Sequence, residues 1–398
     1  MKSRTYLPQN LSQYSAWPQL SDHEVHRLIA EQLAHVLPAM PDGYKCDQST
    51  VSDVVLKASV EGRAIEGTCQ DLATAPTGVT VRTYLNTALP VKDLQALEDR
   101  IQTQLQAHLP KRLWRGAVNL ACDFHDEPFY GKNPLLREYA CRGEARAGTT
   151  WFYRVATAYV LHAGVPDSVA LTFVLPGETP LDVLKRLLQR VSAVGLAVQC
   201  LYLDKGFCTQ PVRTYLDAQG QPAILACAIR GKTGGTRALC RGRRSYFAPY
   251  TFAAGKYPAD TVRLAVVRTY QQKKGNKKAV WLLYVVIHVN VHDPQTVRVR
   301  YRVRFGIESS YRCMRDTHAT TTSRNPAVRF FLISVAFLLV NLWVTLRWHF
   351  AQMPRRGGRW VNKKVYELQR QCRFLAHAID RLYGTVDQIE ARAVPLDP

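Results

Sequence analysis

The sequence lacks the cysteine and histidine patterns that bind structural zinc. Its ten cysteines are scattered, with no Cys-x-x-Cys pair and no histidine cluster at zinc-ligand spacing. We therefore expect reduced thiols in a cytoplasmic protein, and we expect Cys122, Cys200 and Cys227 in the core because they lie in apolar, strand-like runs. Residues 1–15 contain no apolar stretch, so no secretory signal peptide is predicted.

Acidic residues are also scarce. The 398 residues include 53 Lys and Arg but only 31 Asp and Glu, which gives a formal net charge of +22. Residues 1–110 hold nine basic and twelve acidic side chains, so the positive excess lies in residues 111–398. This imbalance favours a polyanionic partner, with nucleic acid ahead of an anionic membrane surface. Apolar residues make up 47%, which excludes a wholly disordered chain.

Long runs without charge are nearly absent. One such run, residues 330–346, covers seventeen positions between Arg329 and Arg347. A membrane-spanning helix needs about 17–25 apolar residues, so this run is at the lower limit. Asn341 and Thr345 interrupt it, and cationic sequence lies on both sides. We favour a buried core helix and no membrane partner; the alternative is a basic protein anchored by this segment.

The spacing of apolar residues changes along the chain and predicts three segments. Residues 1–110 are expected to form an all-helical N-terminal domain, in which two helices around a Pro-Thr-Gly turn resemble a helix-turn-helix. Residues 115–350 alternate strands and helices, which predicts an α/β domain with a mixed sheet flanked by helices. A β-rich basic insertion is predicted at about 230–280, where thirteen cations accompany Asp260 as the one acid. Residues 351–398 are expected to form a basic C-terminal tail.

Two carboxylates follow apolar strands directly. Asp123 comes after VNLAC, and Asp204 comes after VQCLYL. Acids at the carboxyl ends of neighbouring strands point into the crevice where α/β proteins bind ligands. Two carboxylates held this close need a cation, and oxygen donors without His or Cys favour Mg²⁺ or Mn²⁺. The neighbouring acids Asp126, Glu127 and Asp217 are better explained as turn formers.

A third acid, Glu308, lies in the segment YRVRFGIESSYRCMR. If this segment is helical from near Tyr301, four further side chains share a narrow sector of one face with Glu308. They are Tyr301, Arg304, Arg312 and Arg315. A carboxylate among cations suits a metal ligand beside phosphates. Two alternatives stay open: ordinary surface ion pairs at i±4 spacing, and a strand, because VRVRYRVRF alternates with period two.

These residues together resemble the signature of insertion-sequence DDE transposases. The motif order is Asp123, then Asp204-Lys205-Gly206-Phe207, then a Tyr-x₂-Arg-x₃-Glu-x₆-Lys/Arg motif that runs from Tyr301 to Arg315. The final position is usually Lys in this family, so Arg315 is a departure that keeps the charge but changes the phosphate geometry. The resemblance covers roughly residues 115–350.

This resemblance implies a ribonuclease H-like fold and catalysis by Asp123, Asp204 and Glu308. It implies cleavage at transposon ends and joining of the 3′-OH to target DNA, with three carboxylates holding two Mg²⁺ or Mn²⁺ ions. It also implies double-stranded DNA as partner, contacts to that DNA by Tyr301, Arg304, Arg312 and Arg315, a homodimer assembled on DNA and a nucleoid-associated cytoplasmic location. Tyr301 is expected to contact phosphate or to pack. A DNA-binding regulator and a domesticated, non-transposing nuclease on the same fold are the alternatives.

Overall fold

The computed structural model describes residues 19–39, 46–162, 165–273, 276–355 and 358–388. Within these ranges the chain forms two compact units. Residues 105–312 make up the first unit, and residues 19–104 together with 313–388 make up the second. Parts of the predicted segments, including residues 1–18, 40–45, 274–275, 356–357 and 389–398, lie outside the described residues.

Twelve α-helices and eleven strands run through the described residues. The helices are α1 Asp22–Val36, α2 Gln48–Glu61, α3 Ile65–Asp71, α4 Gly78–Ala88, α5 Leu94–Ala107, α6 Pro134–Arg137, α7 Pro180–Ala193, α8 Gln210–Ala218, α9 Pro294–Arg302, α10 Gly306–Asp316, α11 Pro326–Phe350 and α12 Leu368–Tyr383. The strands are β1 Val118–Pro128, β2 Cys141–Arg146, β3 Thr149–His162, β4 Val165–Val174, β5 Val198–Leu203, β6 Ala223–Cys227, β7 Tyr246–Phe252, β8 Asp260–Lys273, β9 Asn276–Ile287, β10 Gln352–Arg355 and β11 Gly358–Val361.

The first unit is built on a nine-stranded sheet. Its strand order is β2-β3-β1-β5-β6-β9-β8-β7, with β4 paired to β3. The β1–β5 and β5–β6 pairs are parallel and the other pairs are antiparallel, so the sheet is mixed, as the sequence predicts. The two parallel pairs are made possible by crossovers, since α8 connects β5 to β6 along the chain.

Helix α7 shows how the sequence sets these elements. Thr179 caps it by accepting a hydrogen bond from the backbone of Asp182, whose side chain accepts one from Thr179 in return, and Pro180 follows at the first helical position. The apolar face of α7, with Leu184, Leu187 and Val191 fully buried, joins the core that also contains Leu120 of β1 and Leu201 of β5. The helix therefore covers one face of the sheet, where it contacts β3 and β4.

The predicted basic insertion continues the main sheet. Strand β9 pairs with β6 through a register that aligns Leu225 with Val285, and β8 and β7 follow outward in antiparallel order. Sequence analysis predicted a β-rich basic insertion here but did not place the strands β7 and β8 in the sheet. The connection arises because Leu283, Val285 and Ile287 of β9 are apolar and buried, so this strand needs a neighbour inside the sheet.

The second unit differs from the three predicted segments, because the expected C-terminal tail contributes the structured helix α12. The apolar face of α12, including Leu375 and Ile379, is buried, and the helix packs against α1 and α2. The Tyr383 hydroxyl donates a hydrogen bond to Asp53 at 3.0 Å. Counting charges in this segment hid the helix, because its cations share the exposed side of an amphipathic pattern.

Helix α11 contains the charge-free run. Asn325 caps it by accepting hydrogen bonds from the backbone of Ala327 and Val328, and Pro326 is its first residue. It is the one helix among the described residues that is long and apolar enough to cross a membrane. Its most apolar stretch of 18 residues is completely buried inside the protein. This burial agrees with the interpretation as a core helix.

The buried Lys57 links the two sequence segments of the second unit through an ion pair, and its removal should lower the stability of the fold. Lys57 on α2 contacts Glu61 and Asp380, both at 2.7 Å, and its side chain is 5% exposed. Burial lowers the pKa of Lys57, but hydrogen bonds to Asp380 and Glu61 raise it above its ordinary value overall. Its ion pairs therefore stabilise the folded state below the ordinary lysine pKa and are lost only as pH rises through the raised value.

We expect Lys57→Met to lower the free energy of unfolding by about 1–3 kcal/mol, because it leaves two partly enclosed carboxylates without their cation. Urea denaturation near neutral pH measures the loss. Arg27→Met is the matched control, since Arg27 pairs with Glu31 on the exposed side of α1 and should contribute at most about 0.5 kcal/mol. Equal urea concentrations at the unfolding midpoint of the two variants would contradict the structural role of Lys57.

Candidate active site

Parallel pairing of β1 with β5 positions the first two acids. Cys122 on β1 is aligned with Leu203 on β5, so the next residues along the two strands, Asp123 and Asp204, come side by side. Asp123 does not end its strand, contrary to the sequence analysis, because β1 continues to Pro128 in antiparallel pairing with β3. Asp123 instead marks the point where β1 loses its β5 neighbour.

The segment that carries Glu308 is helical and begins earlier than expected. Helix α9 starts at Pro294, where the Asp293 side chain accepts hydrogen bonds from the backbone of Gln295 and Thr296. A 3₁₀ turn at Val303–Phe305 then leads into α10. The strand alternative for VRVRYRVRF is wrong. The capping by Asp293 and the burial of every third or fourth residue, including Val297, Tyr301 and Arg304, outweigh the period-two pattern.

A buried guanidinium lies between the three acids. Arg304 Nη2 is 2.9 Å from Asp123 Oδ2 and 3.8 Å from Asp204 Oδ1. Arg304 Nη1 is 3.9 Å from Glu308 Oε1. The Arg304 side chain is 6% exposed, whereas that of Glu308 is 57% exposed. The structure thus brings Asp123, Asp204 and Glu308 together around one cationic side chain that sequence analysis had assigned to DNA.

Burial and charge act in opposite directions on this cluster. The pKa of Asp123 is raised to about 6, chiefly by burial; the charge of Arg304 opposes this rise, and the charge of Asp204 adds to it. Burial lowers the pKa of Arg304, but the charge of Asp123 and of the other neighbours leaves it above its ordinary value. The Arg304 Nε is buried and has no hydrogen-bond partner within the described residues. The guanidinium is therefore strongly held by charge yet incompletely satisfied by hydrogen bonds.

Oxygen donors of this kind suit a hard divalent cation. Carboxylates with no His or Cys among them are the ligands that Mg²⁺ and Mn²⁺ prefer. Among the residues that the structure describes, however, no group of three or more His, Cys, Asp or Glu side chains is already arranged to hold a metal ion. The donor chemistry of Asp123, Asp204 and Glu308 fits such an ion. The Arg304 guanidinium lies between these carboxylates and offsets part of their negative charge.

Tyr301 is a packing residue in this conformation. Its hydroxyl donates a hydrogen bond to the Leu203 carbonyl at 3.0 Å, one residue before Asp204. Its ring lies 4.8 Å from the ring of Tyr284, and the side chain is buried. Of the two roles that sequence analysis considered for Tyr301, this geometry favours packing over contact with phosphate. The hydrogen bond fixes the end of β5 and with it the position of Asp204.

Tyr311 supports Asp123 and was missed by sequence reasoning. Its hydroxyl donates to the Asp123 carbonyl at 3.2 Å and lies 2.7 Å from the Thr157 hydroxyl on β3. Its ring stacks on that of His125 at 5.2 Å. The available signal was its position two helical turns after Arg304, which puts both side chains on the buried face of the segment.

The remaining candidates are exposed or engaged elsewhere. Arg312 and Arg315 are both exposed on α10. Asp126 lies within β1, so its interpretation as a turn former is wrong; Arg154 at 2.6 Å and Arg146 at 2.5 Å hold it in ion pairs. In the helix pair that resembles a helix-turn-helix, Arg82 of α4 pairs with Glu66 of α3.

Comparison with known proteins places the fold. No protein-family model matches the sequence, and no curated protein matches it. A solved structure does: the cryo-EM structure of the piggyBac transposase synaptic complex with hairpin DNA superposes with a TM-score of 0.60. The fold is similar to that of a transposase. The match covers 92% of this chain and 80% of that chain at 10% sequence identity, so the similarity concerns the fold alone.

Proposed function

We propose that this protein is a DDE transposase that cuts DNA at the ends of an insertion sequence and joins the 3′-OH to target DNA. The observation that carries the proposal is the convergence of Asp123, Asp204 and Glu308 on the Arg304 guanidinium. The three acids come from segments that are far apart in the sequence. The fold similarity to piggyBac transposase, which was solved with DNA, is consistent with it. A ribonuclease H-like core and a cytoplasmic, nucleoid-associated location belong to the same proposal.

In this proposal Asp123, Asp204 and Glu308 hold the metal ions. Bound Mg²⁺ or Mn²⁺ would supply positive charge at the scissile phosphate and would lower the pKa of the attacking water or hydroxyl. Tyr301 and Tyr311 act through the backbone, since they hydrogen bond to the carbonyls of Leu203 and of Asp123. They keep the two strand acids in place while a charged substrate enters.

Arg304 has a different task from the one that sequence analysis gave it. In the absence of metal it neutralises three carboxylates that would otherwise repel one another. Exposed Arg312 and Arg315 remain the candidates on this helix for holding phosphates that flank the cleavage point. A homodimer assembled on DNA completes the proposal, because each transposon end needs its own carboxylate set.

A DNA-binding regulator without catalysis is the second candidate. The observation that favours it is the Arg304 guanidinium, which already satisfies much of the charge of the acids without any metal. The test is cleavage of a labelled duplex taken from the DNA that flanks the coding sequence, with and without Mg²⁺ or Mn²⁺. Metal-dependent nicking followed by strand transfer supports the transposase. Binding without nicking supports the regulator, and nicking without strand transfer supports a nuclease.

The basic strands β7–β9 and their loops are proposed to follow the DNA backbone. Exposed cations cluster before β7, where Arg243 and Arg244 lie. We expect Arg243→Ala/Arg244→Ala to weaken DNA binding and to reduce the slope of log affinity against log salt by about two units, because each lost phosphate contact removes about 0.9 of a unit. Binding titrations at several salt concentrations measure the slope.

The matched control for this double variant is Arg27→Ala/Arg63→Ala, which removes two exposed cations from the acidic N-terminal segment. It should leave the salt slope unchanged. If both double variants reduced the slope equally, the backbone contacts would not be concentrated on the basic strands and their loops.

A further inference from the structure

A solvent-open cavity of about 370 Å³ lies in the first unit, beside the turn that follows Asp204. Its lining includes two cysteines, Cys208 and Cys227, and four cations, Lys205, Arg213, Arg230 and Lys256. None of the catalytic roles proposed above uses these thiols. A small molecule in solvent can reach both sulfur atoms, because both side chains are half-buried and border the open cavity.

The fold brings the two cysteines to the same edge of the sheet. Cys208 directly follows the 3₁₀ turn Lys205–Phe207 after β5, and Cys227 is the last residue of β6, the parallel neighbour of β5. Both side chains line the same cavity, and each thiol shifts the pKa of the other, so the two lie close together. Sequence analysis assigned Cys227 to the core. The structure shows Cys227 half-buried: it packs against the core and also lies on the cavity wall, because β6 ends at this residue.

A fixed arginine stands next to Cys208. Arg213 Nη1 donates to the Cys208 carbonyl at 2.9 Å and lies 3.9 Å from the Cys208 sulfur. Two hydrogen bonds of 2.7 Å to Asp260 hold this guanidinium in place, and its contact with the Phe252 ring encloses it. The neighbouring Cys227 thiol lowers the pKa of Cys208, and the charges of Arg213 and Arg230 add to this effect against burial.

We propose that Cys208 and Cys227 form an oxidation site that a peroxide converts to an intramolecular disulfide. In the first step the Cys208 thiolate attacks a peroxide oxygen and the O–O bond breaks. Hydroxide leaves and takes up a proton to become water, and Cys208 becomes a sulfenic acid. In the second step the Cys227 sulfur attacks the Cys208 sulfur, the S–OH bond breaks, and a second water leaves with the Cys227 proton.

The balance is two thiols and one hydrogen peroxide giving one disulfide and two waters. The two sulfur atoms, which line the same cavity, must approach to about 2.05 Å. The new bond would tie the turn after Asp204 to the end of β6. A thiol reductant reverses it, since a disulfide that borders an open cavity is accessible to thiolate attack.

The test uses the full-length protein and hydrogen peroxide. After brief oxidation, free thiols are alkylated, the protein is digested without reductant, and the peptides are analysed by mass spectrometry. We expect a cross-linked peptide pair that contains Cys208 and Cys227 and disappears on reduction. In the untreated protein, we expect Cys208 to be alkylated about tenfold or more faster than Cys240, because burial raises the pKa of Cys240.

Two serine variants keep the proposal testable if either step fails in the wild type. Cys227→Ser should leave a sulfenic acid on Cys208 that a dimedone probe labels, whereas Cys208→Ser should abolish both the cross-link and the dimedone label. Cys240→Ser is the matched control, because Cys240 is another half-buried thiol of the first unit, and it should leave the cross-link intact. Absence of the cross-link in the wild type, or equal alkylation of Cys208 and Cys240, would overturn the proposal and leave two packing cysteines.

Discussion

Asp123→Asn should reduce metal-dependent DNA cleavage by at least about 10³-fold, which corresponds to roughly 4 kcal/mol in activation free energy. The amide keeps the size of the side chain but removes a negative charge and one strong cation ligand from the centre of the cluster. DNA affinity should change little, because binding rests on cations that contact phosphates elsewhere. Single-turnover cleavage and equilibrium binding on the same duplex measure the two effects.

Two other acids make this experiment specific. Asp217→Asn removes an exposed carboxylate and should leave cleavage unchanged. Asp126→Asn tests the neighbouring acid on β1, which Arg154 and Arg146 hold in place, and thermal melting of this variant separates lost stability from lost chemistry. Full activity of Asp123→Asn together with inactivity of a folded Asp126→Asn would move the catalytic role to Asp126.

The positions of the two strand acids followed from simple rules. Apolar runs that end at an acid predicted Asp123 and Asp204 at one edge of a sheet, and the aligned pair Cys122 and Leu203 places them side by side. The register itself was not predictable, because strand pairing depends on contacts between residues that are distant in sequence. For the same reason the sequence did not reveal that β7 and β8 extend the central sheet.

Arg304 was the hardest residue to place from sequence. Its i,i+4 spacing to Glu308 is also the spacing of an exposed helical ion pair, and local pattern does not tell the two apart. Its burial depends on the contact with Asp123, which only the folded chain creates. The helix α12 was missed for a related reason, since counting cations over a window ignores on which side of a helix they lie.

The burial of Arg304 leads to a large expected effect on stability. Sequence reasoning alone treats Arg304→Ala as loss of a DNA contact that leaves the fold intact. The structure instead places the guanidinium 2.9 Å from Asp123 with 6% of the side chain exposed. We expect Arg304→Ala to lower the free energy of unfolding by about 3–5 kcal/mol without divalent cations, because it leaves buried negative charge uncompensated. Urea denaturation in the presence of a chelator measures this loss.

A divalent cation should then replace part of what the guanidinium provided. The three carboxylates of Arg304→Ala have no internal counter-charge, so Mg²⁺ or Mn²⁺ should bind this variant more tightly than the wild type. At a concentration about 100 times the dissociation constant, the ion should restore about 2.7 kcal/mol. Arg312→Ala is the matched control on the same helix: Arg312 is exposed, so its removal should change stability by at most about 1 kcal/mol and should create no dependence on metal. If Arg304→Ala matched Arg312→Ala in both measurements, the guanidinium would not be the counter-ion of the cluster, and the assignment of Asp123, Asp204 and Glu308 to one cation site would lose its main support.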